Sequence, residues 1–91
     1  MLPIARRILL EVLERLDDPR ALAEVARSYV ATTDPVATQT ARTLLSGAHK
    51  HRDAGHESAW SDVYPELEAA KELPSTRARA VEALKWLTGN D

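Results

Sequence analysis

Cysteine and phenylalanine are absent from the 91-residue chain, methionine occurs once, at position 1, and glycine only three times. Without cysteine there is no disulfide framework, no thiol nucleophile, no cysteine-ligated zinc and no iron–sulfur cluster of the usual kind. The lack fits a reducing compartment. Aromatic residues are 4% of the chain, namely Tyr29, Trp60, Tyr64 and Trp86, so Leu, Val, Ile and Ala must supply most of the packing. An excess of either charge is also missing. Twelve Lys and Arg face fourteen Asp and Glu, a formal charge of -2, which gives little electrostatic drive toward nucleic acid or anionic lipid. No apolar run approaches the roughly 20 residues that span a membrane. Residues 2–5 are cut off by Arg6 and Arg7 before they could form a signal-peptide core. The expectation is a cytoplasmic protein with no membrane association.

The residues that are present describe one folded unit. Hydrophobic residues at 44% and charged residues at 29% are close to globular averages, and a chain this short supports a single core, so residues 1–91 are expected to form a single helical domain. Ile4, Ile8, Leu9, Val12, Leu13 and Leu16 fall on one side of a first helix, leaving Leu10 among the polar residues. Asp18-Pro19 and Asp34-Pro35 each place a capping carboxylate ahead of a proline in the first helical turn, where its missing N–H costs nothing. The helices they open carry Leu22, Val25, Ala26, Tyr29 and Val30, and Ala37, Ala41, Leu44, Leu45 and Ala48, inward.

Gly47 either ends the third helix or is passed by a helix that continues to about Asp53, with Gly55 as its cap; continuation is preferred. Pro65 either kinks one helix or lies in the first turn of a fourth helix capped by Asp62. A fifth helix is expected from Ser75 as N-cap to Gly89, with Ala80, Val81, Ala83, Leu84 and Leu87 inward. No segment alternates with a two-residue period. The fold class expected is therefore all-α, a compact bundle of about five short helices with no β-sheet, cored by Ile8, Val12, Leu13, Leu22, Val25, Leu44, Trp60, Leu67, Val81, Leu84 and Leu87.

Potential ligands are densest around His49, Asp53 and His56, which are four and three residues apart and would share one stripe of an unbroken helix. Gly55 interrupts that stripe, Lys50 and Arg52 repel a cation, and a polar helix end collects such residues anyway, so no metal is expected. The chain has no Gly-rich phosphate loop, no nucleophile elbow and no His-Glu-x-x-His spacing, so the expectation is a non-enzyme without cofactor.

Leu22-Ala23-Glu24-Val25-Ala26-Arg27, preceded by Arg7-Ile8-Leu9-Leu10-Glu11-Val12-Leu13, resembles the opening helices of bacterial helix-turn-helix regulators over about half the chain. The resemblance implies that the third helix reads DNA, with Thr38, Gln39, Arg42 and Thr43 outward and Lys50 and Arg52 extending its positive end. The chain departs from that pattern where Val30 stands at the turn glycine and Gln39 replaces an apolar residue, and no wing strands follow. DNA binding is therefore the second reading.

The first is a structural or protein-interaction module, with Leu10, Leu73 and Trp86 as apolar contacts left outside the core and a protein partner or a second copy as occupant. Proline inside caps and glycine after helices are also what de novo designed bundles use. A designed chain without evolved activity fits the same features, although the preference for Arg and the awkward Pro65 fit a natural protein better.

Overall fold

The computed structural model describes residues 18–90, so the first expected helix, with Ile8, Leu10, Val12 and Leu13, lies outside the described residues. Within them every regular element is helical and the chain folds into one compact body. A 3-10 turn at Pro19–Ala21 leads into α1 (Leu22–Ala31); α2 (Pro35–Ser46) and α3 (Ala48–Asp53) follow. Two 3-10 turns, Glu57–Ala59 and Ser61–Val63, precede α4 (Tyr64–Ala70), and α5 (Arg77–Thr88) closes the fold. Only Gly47 separates α2 from α3, so four helical runs stand where the second to fifth helices were expected.

Both Asp-Pro starts form as the sequence implies. Asp18 accepts from the Arg20 amide at 2.9 Å and Asp34 from the Ala37 amide at 2.8 Å, each with proline in the first turn. Each bond satisfies one of the amides that a helix start leaves unpaired. At Gly47 (φ -87°, ψ 0°) the helix breaks and immediately restarts. It ends after Asp53 with Gly55 at φ +85°, where the His56 and Gly55 amides reach back to the His51 and Arg52 carbonyls. That is the double bond of a Schellman cap, which favours glycine at the left-handed position.

Pro65 lies in the first turn of α4, so the chain does not kink there. Asp62 is not its cap, however: it lies within the preceding 3-10 turn, and Val63 holds the cap position without a side-chain bond. Nor does Ser75 cap α5. Thr76 takes that position, with its hydroxyl turned back to the Ala70 carbonyl at 2.6 Å.

The core gathers Leu22, Val25, Ala26 and Tyr29 of α1, Ala37, Ala41 and Leu45 of α2, Ala48 of α3, Trp60, Val63, Leu67, and Ala83 and Leu87 of α5. Ala37, Ala41, Leu45 and Ala48 recur at four, four and three residues, and their small faces let α2 lie close against α1. Leu44 and Leu84, expected inside, are half-buried and pack against this core, whereas Val81, also expected inside, is half-buried outside the cluster. One helical position is about 100°, so Leu45 facing the core turns Leu44 to the margin.

Candidate functional site

Three sides of α5 meet different surroundings, and together they hold the chemistry of the described residues. Its inward side carries Ala80, Ala83 and Leu87, all fully buried. A second side carries Arg79, Glu82 and Trp86, spaced three and four residues apart, against Tyr29. The buried Tyr29 hydroxyl donates to Glu82 at 2.9 Å and accepts from Arg42 at 3.1 Å. Arg79 stacks over the Tyr29 ring at 4.8 Å from its centroid, and the Trp86 ring meets it edge-on at 5.6 Å. These contacts tie α1, α2 and α5 into one aromatic and ionic cluster.

Arginines also close helix ends across the fold. Arg79 donates to the Tyr29 carbonyl in the last turn of α1, Arg52 to the Trp86 carbonyl in the last turn of α5, and Arg77 to the Lys71 carbonyl just past α4. Such carbonyls have no partner inside their own helix and carry the negative end of its dipole, so a guanidinium satisfies both demands. Arg20 pairs with Asp18 and Arg27 with Glu66. Arg27 holds the Glu66 carboxyl below its ordinary range, chiefly through that hydrogen bond. Every arginine among the described residues thus donates to the chain itself.

Tyr64 makes the other polar junction. Its hydroxyl donates to Glu57 at 2.5 Å, accepts from the Trp60 indole N–H at 3.1 Å and lies 3.3 Å from the Leu87 carbonyl oxygen. Burial first, and then the Glu57 hydrogen bond, pushes its pKa up to about 12. Among the described residues no buried side-chain nitrogen or oxygen lacks a hydrogen-bond partner.

The remaining side of α5 borders a groove. Val81, Leu84, Lys85 and Thr88, with Asn90 beyond them, form one wall, and Glu68 and Lys71 at the α4 end form the other. The helices run antiparallel, since Tyr64 reaches Leu87 at one end while Thr76 bonds to Ala70 at the other. About 230 Å³ lies between the walls, below the roughly 300–1,000 Å³ of small-molecule sites. Lys71 pairs with Glu68 at 3.0 Å, and the Thr88 hydroxyl donates to the Leu84 carbonyl. Lys85 is exposed and is the one lysine or arginine among the described residues whose side chain has no hydrogen bond or ion pair.

The structure does not gather His49, Asp53 and His56. No group of three or more potential ligands forms among the described residues. His49 turns to the Ser46 carbonyl, and the His56 ring instead faces His51, at 6.4 Å between centroids, because the turn at Gly55 redirects the chain. Of the residues implied by the helix-turn-helix resemblance, Gln39, Arg42, Thr43 and Lys50 are exposed. Thr38 is half-buried, with its hydroxyl bonded to the Asp34 carbonyl, and Arg52 is held at the end of α5. Leu73 is the most exposed large apolar side chain described, at 57%; Trp86 packs on Tyr29, and Leu10 lies outside the described residues.

Sequence reading missed the α5–Tyr29 cluster, although Arg79, Glu82 and Trp86 share a helical stripe. It also missed the groove rim, for which nothing in the local pattern gave a signal. No protein-family model, no curated protein sequence and no solved structure matches the chain.

Proposed function

We propose that the chain is a non-catalytic helical module that acts by binding another protein, and that a helix over residues 4–16 completes the bundle as its fifth. One observation carries this reading: Val81, expected in the core, is only half-buried and lines, with Leu84 at the core margin, a groove between α4 and α5. The Tyr29 and Tyr64 polar clusters are satisfied within the chain, whereas this apolar strip is only partly covered. Leu73 adds exposed apolar surface in the connection between the same two helices. The test is capture from a native lysate with wild type and Val81→Asp side by side. Proteins retained by wild type and lost by the variant are expected; identical sets contradict the reading. An idealised designed chain, which the Asp-Pro caps and glycine stops also fit, would capture nothing with either protein.

A DNA-reading role is favoured by one observation only: Gln39 and Arg42 are exposed on α2, which follows α1 after the short link of Thr32, Thr33 and Asp34. Against it, Arg42 already bonds to Tyr29, Arg52 caps α5, and the net charge is -2. A gel shift with random-sequence DNA at low salt, where even non-specific binders are retarded, is expected to show no retardation. Retardation abolished by Arg42→Ala would reverse the ranking.

A further inference from the structure

We infer that His51 and His56 form a two-histidine site for a divalent transition-metal ion, built by the turn that ends α3. The site uses none of the residues that line the α4–α5 groove, so it stands apart from the protein-binding reading.

Backbone geometry is the first argument. The Schellman turn at Gly55 ties the two residues together, since the His56 amide donates to the His51 carbonyl at 2.9 Å. Their rings lie 6.4 Å apart between centroids with planes at 78°. Two imidazoles on one zinc, each with its nitrogen about 2.0–2.1 Å from the metal, have ring centres roughly 5–6 Å apart, so closing this pair takes about 1 Å. His51 is half-buried within α3, whereas the His56 side chain is exposed, and its side-chain torsions supply that movement.

Charge is the second. Lys50 and Arg52 stand beside His51 in sequence, but the Arg52 guanidinium is spent on the Trp86 carbonyl at 2.8 Å, and Lys50 has its own partner. The pair sits at the C-terminal end of α3, where the helix dipole favours a cation. Asp18, whose carboxyl is held below its ordinary range chiefly by its hydrogen bonds from Arg20, also feels His51, which sets a carboxylate near that imidazole. Carboxylates near ligating histidines raise their basicity and fix their rings. Two protein nitrogens leave the other coordination positions to water. That donor set suits Zn²⁺, Ni²⁺ or Cu²⁺ and not Mg²⁺, which takes oxygen ligands.

The experiment titrates Zn²⁺ into the full ¹⁵N-labelled chain, with Mg²⁺ as control, and follows imidazole nitrogen and backbone amide shifts. Saturable shifts centred on His51 and His56 are expected with Zn²⁺ and none with Mg²⁺. His56→Ala is expected to weaken Zn²⁺ binding roughly ten-fold or more, since even outer partners of a metal ligand carry that much. His49→Ala is expected to leave binding unchanged, which separates this pair from a His49–His51 chelate. Both substituted positions are exposed, and metal-free thermal unfolding checks that each variant folds. Excess Zn²⁺ is expected to raise the unfolding midpoint of wild type and His49→Ala but not of His56→Ala. Shifts centred elsewhere, equal weakening by His49→Ala, an equal response to Mg²⁺ or no saturable binding would each overturn the inference.

Discussion

Tyr64 ties together parts of the chain that are far apart in sequence: its hydroxyl meets Glu57, Trp60 and the end of α5. Its pKa, raised to about 12 from an ordinary 10, means that the folded chain holds this proton more tightly than the unfolded one. The linked stability is therefore fully present below pH 10 and is lost as pH rises toward about 12. Ultraviolet titration is expected to show a tyrosine ionising near pH 12 that disappears in Tyr64→Phe. A step near pH 10 removed by that variant would contradict the geometry. Local sequence could not reveal this junction, because Arg52, Glu57, Tyr64 and Leu87 are brought together by packing rather than by period. Gly89 was legible as a helix stop, but its closeness to Arg52 was not.

At the scale of elements, the devices that act within a few residues were readable and those that depend on neighbours were not. Asp18 and Asp34 cap as their Asp-Pro context implies, and the small face of Ala37, Ala41 and Ala48 packs inward. Ser75 and Thr76 are adjacent hydroxyl residues, and Thr76 holds the cap position with its hydroxyl bonded to the Ala70 carbonyl rather than to an amide of α5. Leu44 and Leu45 were both expected inward; Leu45 is buried and Leu44 packs at the margin of the core. The groove was illegible for a related reason: Val81 and Leu84 fall on the apolar side of α5, and which of them packs inward depends on the neighbouring helices rather than on the local pattern.

The end of α5 gives a sharp prediction at this scale. Gly89 has φ +77°, and a Cβ built there would lie 2.8 Å from the Arg52 guanidinium carbon. Gly89→Ala is expected to destabilise the fold by about 1–2 kcal/mol, from left-handed strain together with disturbance of the Arg52 cap. Denaturant unfolding measures it, and a neutral or stabilising result would show that the helix end is not held as described.

At the scale of the whole molecule, α5 holds the fold through its inner side, and the proposed function leaves its groove side for a partner. Leu87 is fully buried, whereas Val81 is half-buried at the groove and is not packed into the core cluster. Removing the buried side chain costs transfer energy and leaves a cavity, while a charge at the groove wall stays in reach of water. The direct measurement is equilibrium unfolding of wild type, Leu87→Ala and Val81→Asp under one set of conditions. Leu87→Ala is expected to lose about 2–5 kcal/mol and Val81→Asp less than about 1 kcal/mol. A Val81→Asp chain that loses as much as Leu87→Ala, or fails to fold, would make the groove wall part of the core and contradict its assignment as a binding surface.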